Sequence, residues 1–180
     1  MGLEPTKLVI WQQNVNKSLT CQHDIISSKK LIDKEVSIVT LQEPAINFVN
    51  KTIATKDWTL IYPSTHDKHP DQTRSILLIR SALTSNSWQQ LAFPSGDVTA
   101  VQLKGNWGSL AIFNVYNDTT HNHTIEQLTD FCHRHRHDLE SNEAGTAHSI
   151  WLGNFNRHHP YWDNPEDTQL FTNEATKAAE

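Results

Sequence analysis

Ser149-Ile150-Trp151-Leu152-Gly153-Asn154-Phe155-Asn156-Arg157-His158-His159-Pro160 is the stretch on which the fold turns. Its opening run reads as a short buried strand, and the chain then bends sharply through Gly, Asn and Pro. Polar residues crowding the end of a buried strand sit at the mouth of a sheet, where α/β proteins keep their ligands. Two amides, a guanidinium and two imidazoles within six positions suit a phosphate and a metal-bound water.

The same design recurs upstream. A strand over residues 8–14 ends in Gln13-Asn14. A short β-branched strand over 36–41 ends in Gln42-Glu43-Pro44, and one over 110–116 ends in Tyr116-Asn117-Asp118. Further strands are expected at 58–62, 75–79, 88–93 and 98–103, with a hairpin signal at Lys104-Gly105-Asn106. The unbroken apolar run Ser75-Ile76-Leu77-Leu78-Ile79 predicts a strand buried on both faces. Helical spacing marks residues 24–34 and 124–139, the second with Thr124 as N-cap and Gln127 three later, and residues 168–179 also read as helix. Residues 75–116 hold four strands with no room for crossover helices, which disfavours a doubly wound parallel sheet. The pattern predicts an α/β (α+β) sandwich, two mixed sheets face to face with helices outside.

The 180 residues suffice for one domain with a sizeable core, about 70% of the unfolded surface being buried at this size. No apolar stretch approaches the ~20 residues of a membrane span, and the N-terminus has no secretory pattern, so the expected setting is intracellular, cytoplasmic or nuclear, with no membrane. Cys21 and Cys132 read as two free thiols of a reducing compartment. A formal net charge of −5 argues against a protein that wraps DNA through basic surface alone. It does not exclude a metal-dependent phosphodiesterase, whose pocket is itself acidic.

If the strand ends share one rim, Glu43 can hold a hard cation such as Mg²⁺ or Mn²⁺, with waters and substrate phosphate completing the shell. Asn14 can hydrogen-bond a coordinated water, Tyr116 can stabilise a pentacovalent oxyanion, and Asn156 can donate its amide to the scissile phosphate. Arg74 can grip a phosphate through its fork or be an ordinary strand-edge arginine. Asp118 reads as a turn residue or a helix cap. The interleaved His133, His135 and His137 read as a solvated helix face rather than a metal cluster, since only His133 and His137 share a side.

Four motifs in order, Gln13-Asn14-Val15-Asn16-Lys17-Ser18, Gln42-Glu43-Pro44, Asn114-Val115-Tyr116-Asn117 and the block from Gly153 to Asp163, resemble those of the endonuclease/exonuclease/phosphatase superfamily. They look most like the apurinic-type endonuclease domain of fungal non-LTR retrotransposons. The resemblance runs from about Lys7 to the end. It implies a four-layer sandwich over residues 1–180, Mg²⁺- or Mn²⁺-dependent nicking of a DNA substrate, and a longer polyprotein with a reverse transcriptase. It implies Asn14 and Glu43 as the metal pair and Tyr116 and Asn156 as catalytic residues, with Asn154 at the family's Asp position; beside these the sequence offers Arg74, Asn117, Arg157 and His158 as candidate substrate-binding residues. Two departures accompany it. Asn154 stands where the family carries Asp, and an amide cannot take a proton from water. Nothing after Asn154 matches the family's terminal Ser-Asp-His motif, so the domain is expected to be C-terminally truncated, lacking the last strands. The function expected is therefore an endonuclease-like phosphodiesterase of weakened activity or, as the alternative, a non-catalytic nucleic-acid- or protein-binding remnant of that fold. A phosphoinositide or sphingomyelin phosphodiesterase is a third reading, disfavoured by the His-His-Pro block.

Overall fold

A computed structural model describes residues 7–139, 146–156, 164 and 166. The expected helix over 168–179 lies outside them, as do Arg157 and His158. The described chain runs β1 (Ile10–Asn14), α1 (Leu19–Ile26), α2 (Lys29–Asp33), β2 (Ile38–Gln42), β3 (Trp58–Ile61), β4 (Ser75–Arg80), β5 (Trp88–Leu91), β6 (Val98–Gly105), β7 (Gly108–Tyr116), α3 (His123–Arg134), α4 (Arg136–Leu139) and β8 (Ala147–Asn154).

The strands form two mixed four-stranded sheets, ordered β1-β2-β4-β3 and β5-β6-β7-β8. One parallel pair lies in each: β1 with β2 in the first sheet, β7 with β8 in the second. All other pairings are antiparallel. The α+β sandwich read from the sequence is the observed architecture.

The two-residue period of the strands builds the layers. Val39, Leu41, Ile76 and Leu78 face outward onto Ile25, Ile26 and Leu31 of α1 and α2. Val98, Ala100, Phe113 and Val115 face outward onto Leu128 and Phe131 of α3. The alternate residues Ile38, Leu77, Ile79, Val101, Leu103 and Ile112 meet between the sheets. Each central strand is thus covered on both faces, which is why 75–79 reads as unbroken apolar sequence.

The space between the sheets changes character along its length. Towards the ends of β2 and β7 the inward positions become Gln42, Ser75, Thr99 and Asn114, each 1% exposed or less. These polar groups are satisfied across the layer, as burial demands. Asn114 Nδ2 donates to Leu41 O and Ile76 O, both at 2.8 Å, and its Oδ1 accepts from Gln42 Nε2. Thr99 Oγ1 donates to Ser75 O at 2.8 Å, and Ser75 Oγ to Asn114 O at 2.9 Å. This polar seam pins the register of one sheet on the other just beneath the strand-end rim.

Four sequence expectations are corrected. The helix expected at 24–34 begins at Leu19, because Ser18 caps it by accepting from Cys21 N, and it breaks at Ser27-Ser28 into two helices. The helix expected from 124 starts at His123 and breaks at His135. Thr124 is not its cap, because its hydroxyl donates to Asp97 Oδ2 at 2.9 Å. The 149–152 run is not buried: β8 pairs only with β7 among the described residues, and Ile150 and Trp151 are exposed. His135 is half-buried against the Phe131 ring at 4.2 Å, so that position is not a solvated face.

Candidate active site

Parallel pairing decides where the polar strand ends meet. In the first sheet Asn14 lies opposite Gln42, immediately before Glu43. In the second, Tyr116 lies opposite Asn154. The sandwich stacks these pairs face to face, β1 and β2 packing against β8, and β2 also against β7. Four strand ends therefore open on one rim.

On the first sheet's side, Asn14 Nδ2 donates to Glu43 Oε1 at 2.7 Å. Asn14 Oδ1 accepts from Asn16 N at 2.8 Å, so both ends of the amide are fixed. Glu43 itself sits at φ 49°, in the left-handed region where a glutamate is uncommon. Its backbone is clamped there: Glu43 N donates to Arg74 O at 2.8 Å, and Lys17 N donates to Glu43 O at 2.7 Å. Asn16, Lys17 and Asn156 on the same rim also carry positive φ. Such conformations cost roughly 1–3 kcal/mol each in non-glycine residues and concentrate at functional sites.

On the second sheet's side, Gly153 brings Asn154 against Tyr116. Its φ is +140°, and a Cβ there would lie 1.9 Å from Val115 O, so only glycine lets β8 approach β7 so closely. Beyond it the loop is cross-tied. Asn156 N donates to Asn154 Oδ1 at 3.1 Å, and Asn156 Nδ2 to Asn117 O at 2.6 Å. Asn117 N donates to Asn154 O, and Asn117 Nδ2 to Phe155 O, both at 2.8 Å.

Arg74 joins the two sides. Its guanidinium lies 4.8 Å from the Tyr116 ring centroid. Nε and Nη2 grip Asp97 Oδ1 and Oδ2 at 2.6 and 2.9 Å, and Nη1 donates to Asp118 Oδ2 at 2.5 Å. Burial alone would lower the guanidinium's pKa; the bonds and charges of Asp97 and Asp118 outweigh it and raise it. The Asp118 carboxyl is held well below the usual range, first by the Thr120 hydroxyl and backbone N–H and then by Arg74. Burial pushes the Tyr116 phenol up, and the Glu43 charge pushes it further. A phenol held above its ordinary value of 10.0 stays an O–H donor at neutral pH.

The structure thus brings Asn14, Glu43, Arg74, Tyr116, Asn154 and Asn156 onto one rim. Two residues expected to bind substrate are held by the protein itself. Asn117 is fully buried, and its amide ties the Phe155 loop. The Arg74 guanidinium bonds two aspartates. Asp97 and Asp118 are not singled out as site residues by the sequence, where Asp118 reads as a turn residue or a helix cap. The available signal was Arg74 itself: a guanidinium at the mouth of a buried strand needs carboxylate partners.

Among the described residues no group of three His, Cys, Asp or Glu could ligate a metal ion. The donor set at the rim is one carboxylate beside one amide. It fits a hard, oxygen-seeking cation that keeps several waters, since Mg²⁺ is commonly held by one or two carboxylates and substrate phosphate. No salt-bridge partner claims Glu43 among the described residues.

Solved structures share the fold. The endonuclease domain of TRAS1, a telomere-specific non-LTR retrotransposon, matches with a TM-score of 0.59 at 11% identity, over 91% of this chain and 68% of that one. This is the endonuclease/exonuclease/phosphatase fold. The AP endonuclease LMAP from Leishmania major matches it with a TM-score of 0.58 at 14% identity, over 94% of this chain and 63% of that one. The chain therefore spans about two thirds of each of these two fold relatives. No family sequence model and no curated protein matches the sequence. Among the described residues no helix is long and apolar enough to cross a membrane.

Proposed function

We propose that the chain is a divalent-metal-dependent phosphodiesterase domain of the retrotransposon endonuclease type, acting on DNA, with its rate reduced by Asn154. The observation that carries this reading is the 2.7 Å bond between Asn14 and Glu43 on the rim that also holds Tyr116 and Asn154. Glu43 would hold Mg²⁺ or Mn²⁺, with Asn14 orienting its carboxylate. The bound ion would supply charge neutralisation and polarisation of a phosphoryl oxygen.

The protein's own groups divide the remaining work. Tyr116 offers its O–H to a non-bridging oxygen, where charge develops as water attacks. Asn156, fixed by its bond to Asn117 O, positions the phosphate. Asn154 accepts a hydrogen bond from the attacking water but cannot remove its proton. That proton passes to bulk water as the new P–O bond forms and the bond to the leaving oxygen breaks, that oxygen taking a proton from solvent. Arg157 and His158, next along the chain, extend the contact to the substrate backbone. By the same reading, residues 1–180 act as one domain inside the cell, beside a reverse transcriptase in a longer polyprotein.

The neutral amide at 154 also favours a second reading, a fold that binds nucleic acid or protein without cutting. One assay separates the two. Supercoiled plasmid is incubated with Mg²⁺ and the parent chain, Asn154→Asp, or Asn154→Asp combined with Glu43→Gln. A positioned base is typically worth 10²–10⁴ in rate, so Asn154→Asp is expected to nick at least about 100-fold faster than the parent, and Glu43→Gln to abolish the gain. A silent Asn154→Asp protein that remains folded would leave the binding reading standing.

A further inference from the structure

The Gln42-Glu43-Pro44 turn leads into a loop that is built rather than loose. Gln22, fully buried on α1, holds its start: its carbonyl accepts from Ala45 N at 2.8 Å, and its amide donates to Thr52 Oγ1 at the loop's other end. A tight turn closes the tip. Asn47 N donates to Lys51 O at 2.8 Å, Asn50 N to Asn47 O at 2.9 Å, and Asn47 Oδ1 accepts from Val49 N and Lys51 N at 3.0 Å each. His66, 3% exposed, braces it from below. Its Nε2 donates to Asn50 O at 2.8 Å, and its Nδ1 is hydrogen-bonded to Thr73 Oγ1 at 2.7 Å. The Tyr62 ring stacks on His66 at 4.1 Å, and Tyr62 Oη accepts from Thr52 N at 2.9 Å.

This scaffold displays a phenylalanine. Phe48 is 96% exposed and its neighbour Val49 57%. A cleft of about 460 Å³ lies against the loop, lined by Lys17, Pro44, Asn47, Asn50 and Asp71 among others. It begins at the residue after Glu43 and ends at the turn that carries Phe48. An aromatic side chain in water on a rigid turn, beside a strained carboxylate, is arranged to meet a planar ring at no ordering cost to the loop.

We propose that Phe48 is a base-stacking wedge: a DNA strand whose phosphate lies at the Glu43 rim crosses the cleft and places a base or base step against the Phe48 ring. This deepens the nuclease reading and rests on it. The chain's charge supports the choice of partner chemistry. At a formal net charge of −5 phosphate attraction alone is a weak source of affinity, and an uncharged contact would add to what Lys17 beside the cleft supplies. Stacking on an aromatic ring is such a contact, and exposed Phe wedges insert between base steps in DNA-bending proteins.

The test uses the full chain and a short DNA duplex carrying 2-aminopurine, titrated without metal over a range of salt. Phe48→Ala is expected to weaken binding about tenfold or more, with the slope of log K against log salt unchanged, because no charge is removed. Phe48→Trp is expected to retain parental affinity. Parent binding should raise the 2-aminopurine signal by unstacking it, and Phe48→Ala should not. Full solvent exposure makes the alanine variant safe to fold, which its melting curve verifies. Equal duplex affinity for Phe48→Ala and parent overturns the proposal. So does a Phe48→Ala protein that loses self-association while keeping its DNA affinity, since the tip would then be a protein contact. The two readings fail separately. Nicking by Asn154→Asp with a KM indifferent to Phe48 would sink the wedge and leave the nuclease. Phe48-dependent duplex binding with no nicking by any variant would sink the nuclease and support the wedge.

Discussion

Replacing Asp97 by Asn tests whether Arg74 is the tie between the two sheets. Asp97 is the more deeply set of its partners, its side chain 10% exposed against 22% for Asp118. The substitution keeps shape and one acceptor oxygen. It removes the charge and one of two bonds to the guanidinium, and it turns an amide towards either Arg74 or the Thr124 hydroxyl, which now donates to Oδ2. Breaking a fully buried ion pair costs about 3–5 kcal/mol. Here the Arg74 side chain is 29% exposed and Asp118 remains bound, so water and the second carboxylate recover part of that. The expected loss is about 2 kcal/mol, which at about 2–4 °C per kcal/mol for a chain this size lowers the melting temperature by about 4–8 °C. Circular dichroism melts of the parent, Asp97→Asn and Asp118→Asn read it, with Asp97→Asn the lower melter. Arg74→Met should then cost less in the Asp97→Asn background than in the parent. A shift under about 1 °C, or a larger drop for Asp118→Asn, would show that the geometry around Arg74 does not carry stability.

Three further outcomes follow from the same groups. Arg74→Met should raise the Tyr116 phenol further, because Arg74 opposes the push of burial and the carboxylates; the phenolate absorbance of each protein, minus that of its Tyr116→Phe counterpart, measures it. Asp118 titrates below its ordinary 3.8 when folded, so its contribution is complete above that value and is lost as pH falls below it. Acid melts should therefore fall less steeply for Asp118→Asn than for the parent in that range. Mg²⁺ in excess should raise the parent's melting temperature, since a ligand bound only by the folded state stabilises it, and should leave Glu43→Gln unmoved.

What the sequence disclosed follows from what is local. Apolar runs bounded by Gly, Pro and Asn located the strands, and the unbroken run of β4 announced a layer on each face. The order of four short motifs located Asn14, Glu43, Tyr116 and Asn154. Helix ends were less legible because caps depend on which serine turns inward: Ser18 caps α1, while Thr124, equally plausible by pattern, is drawn away by Asp97. The Arg74, Asp97 and Asp118 cluster was illegible as a unit, since its members lie 23 and 44 residues apart and meet only once the sheets stack. The Phe48 tip has no local signature either. Its rigidity comes from Gln22, His66 and Tyr62, all distant in sequence.

The charges that bear on Tyr116 set the electrostatics of the rim. They are those of Glu43, Asp97 and Asp118, negative, and Arg74, positive. Arg74 bonds Asp97 and Asp118, and Glu43 has no salt-bridge partner among the described residues. A phosphodiester brought to Tyr116 alone would meet a net negative field, unfavourable for an anion. An Asp at 154 would deepen that field, and Asn154 relieves it. On the proposed nuclease reading the amide would do two opposite things: it would leave no base to activate water, and it would leave out a charge that repels the substrate. On this account Asn154→Asp should gain rate only when a divalent ion is present, and should bind DNA more weakly than the parent when the ion is chelated. A protein in which the aspartate improved metal-free binding would contradict the electrostatics on which the site is read.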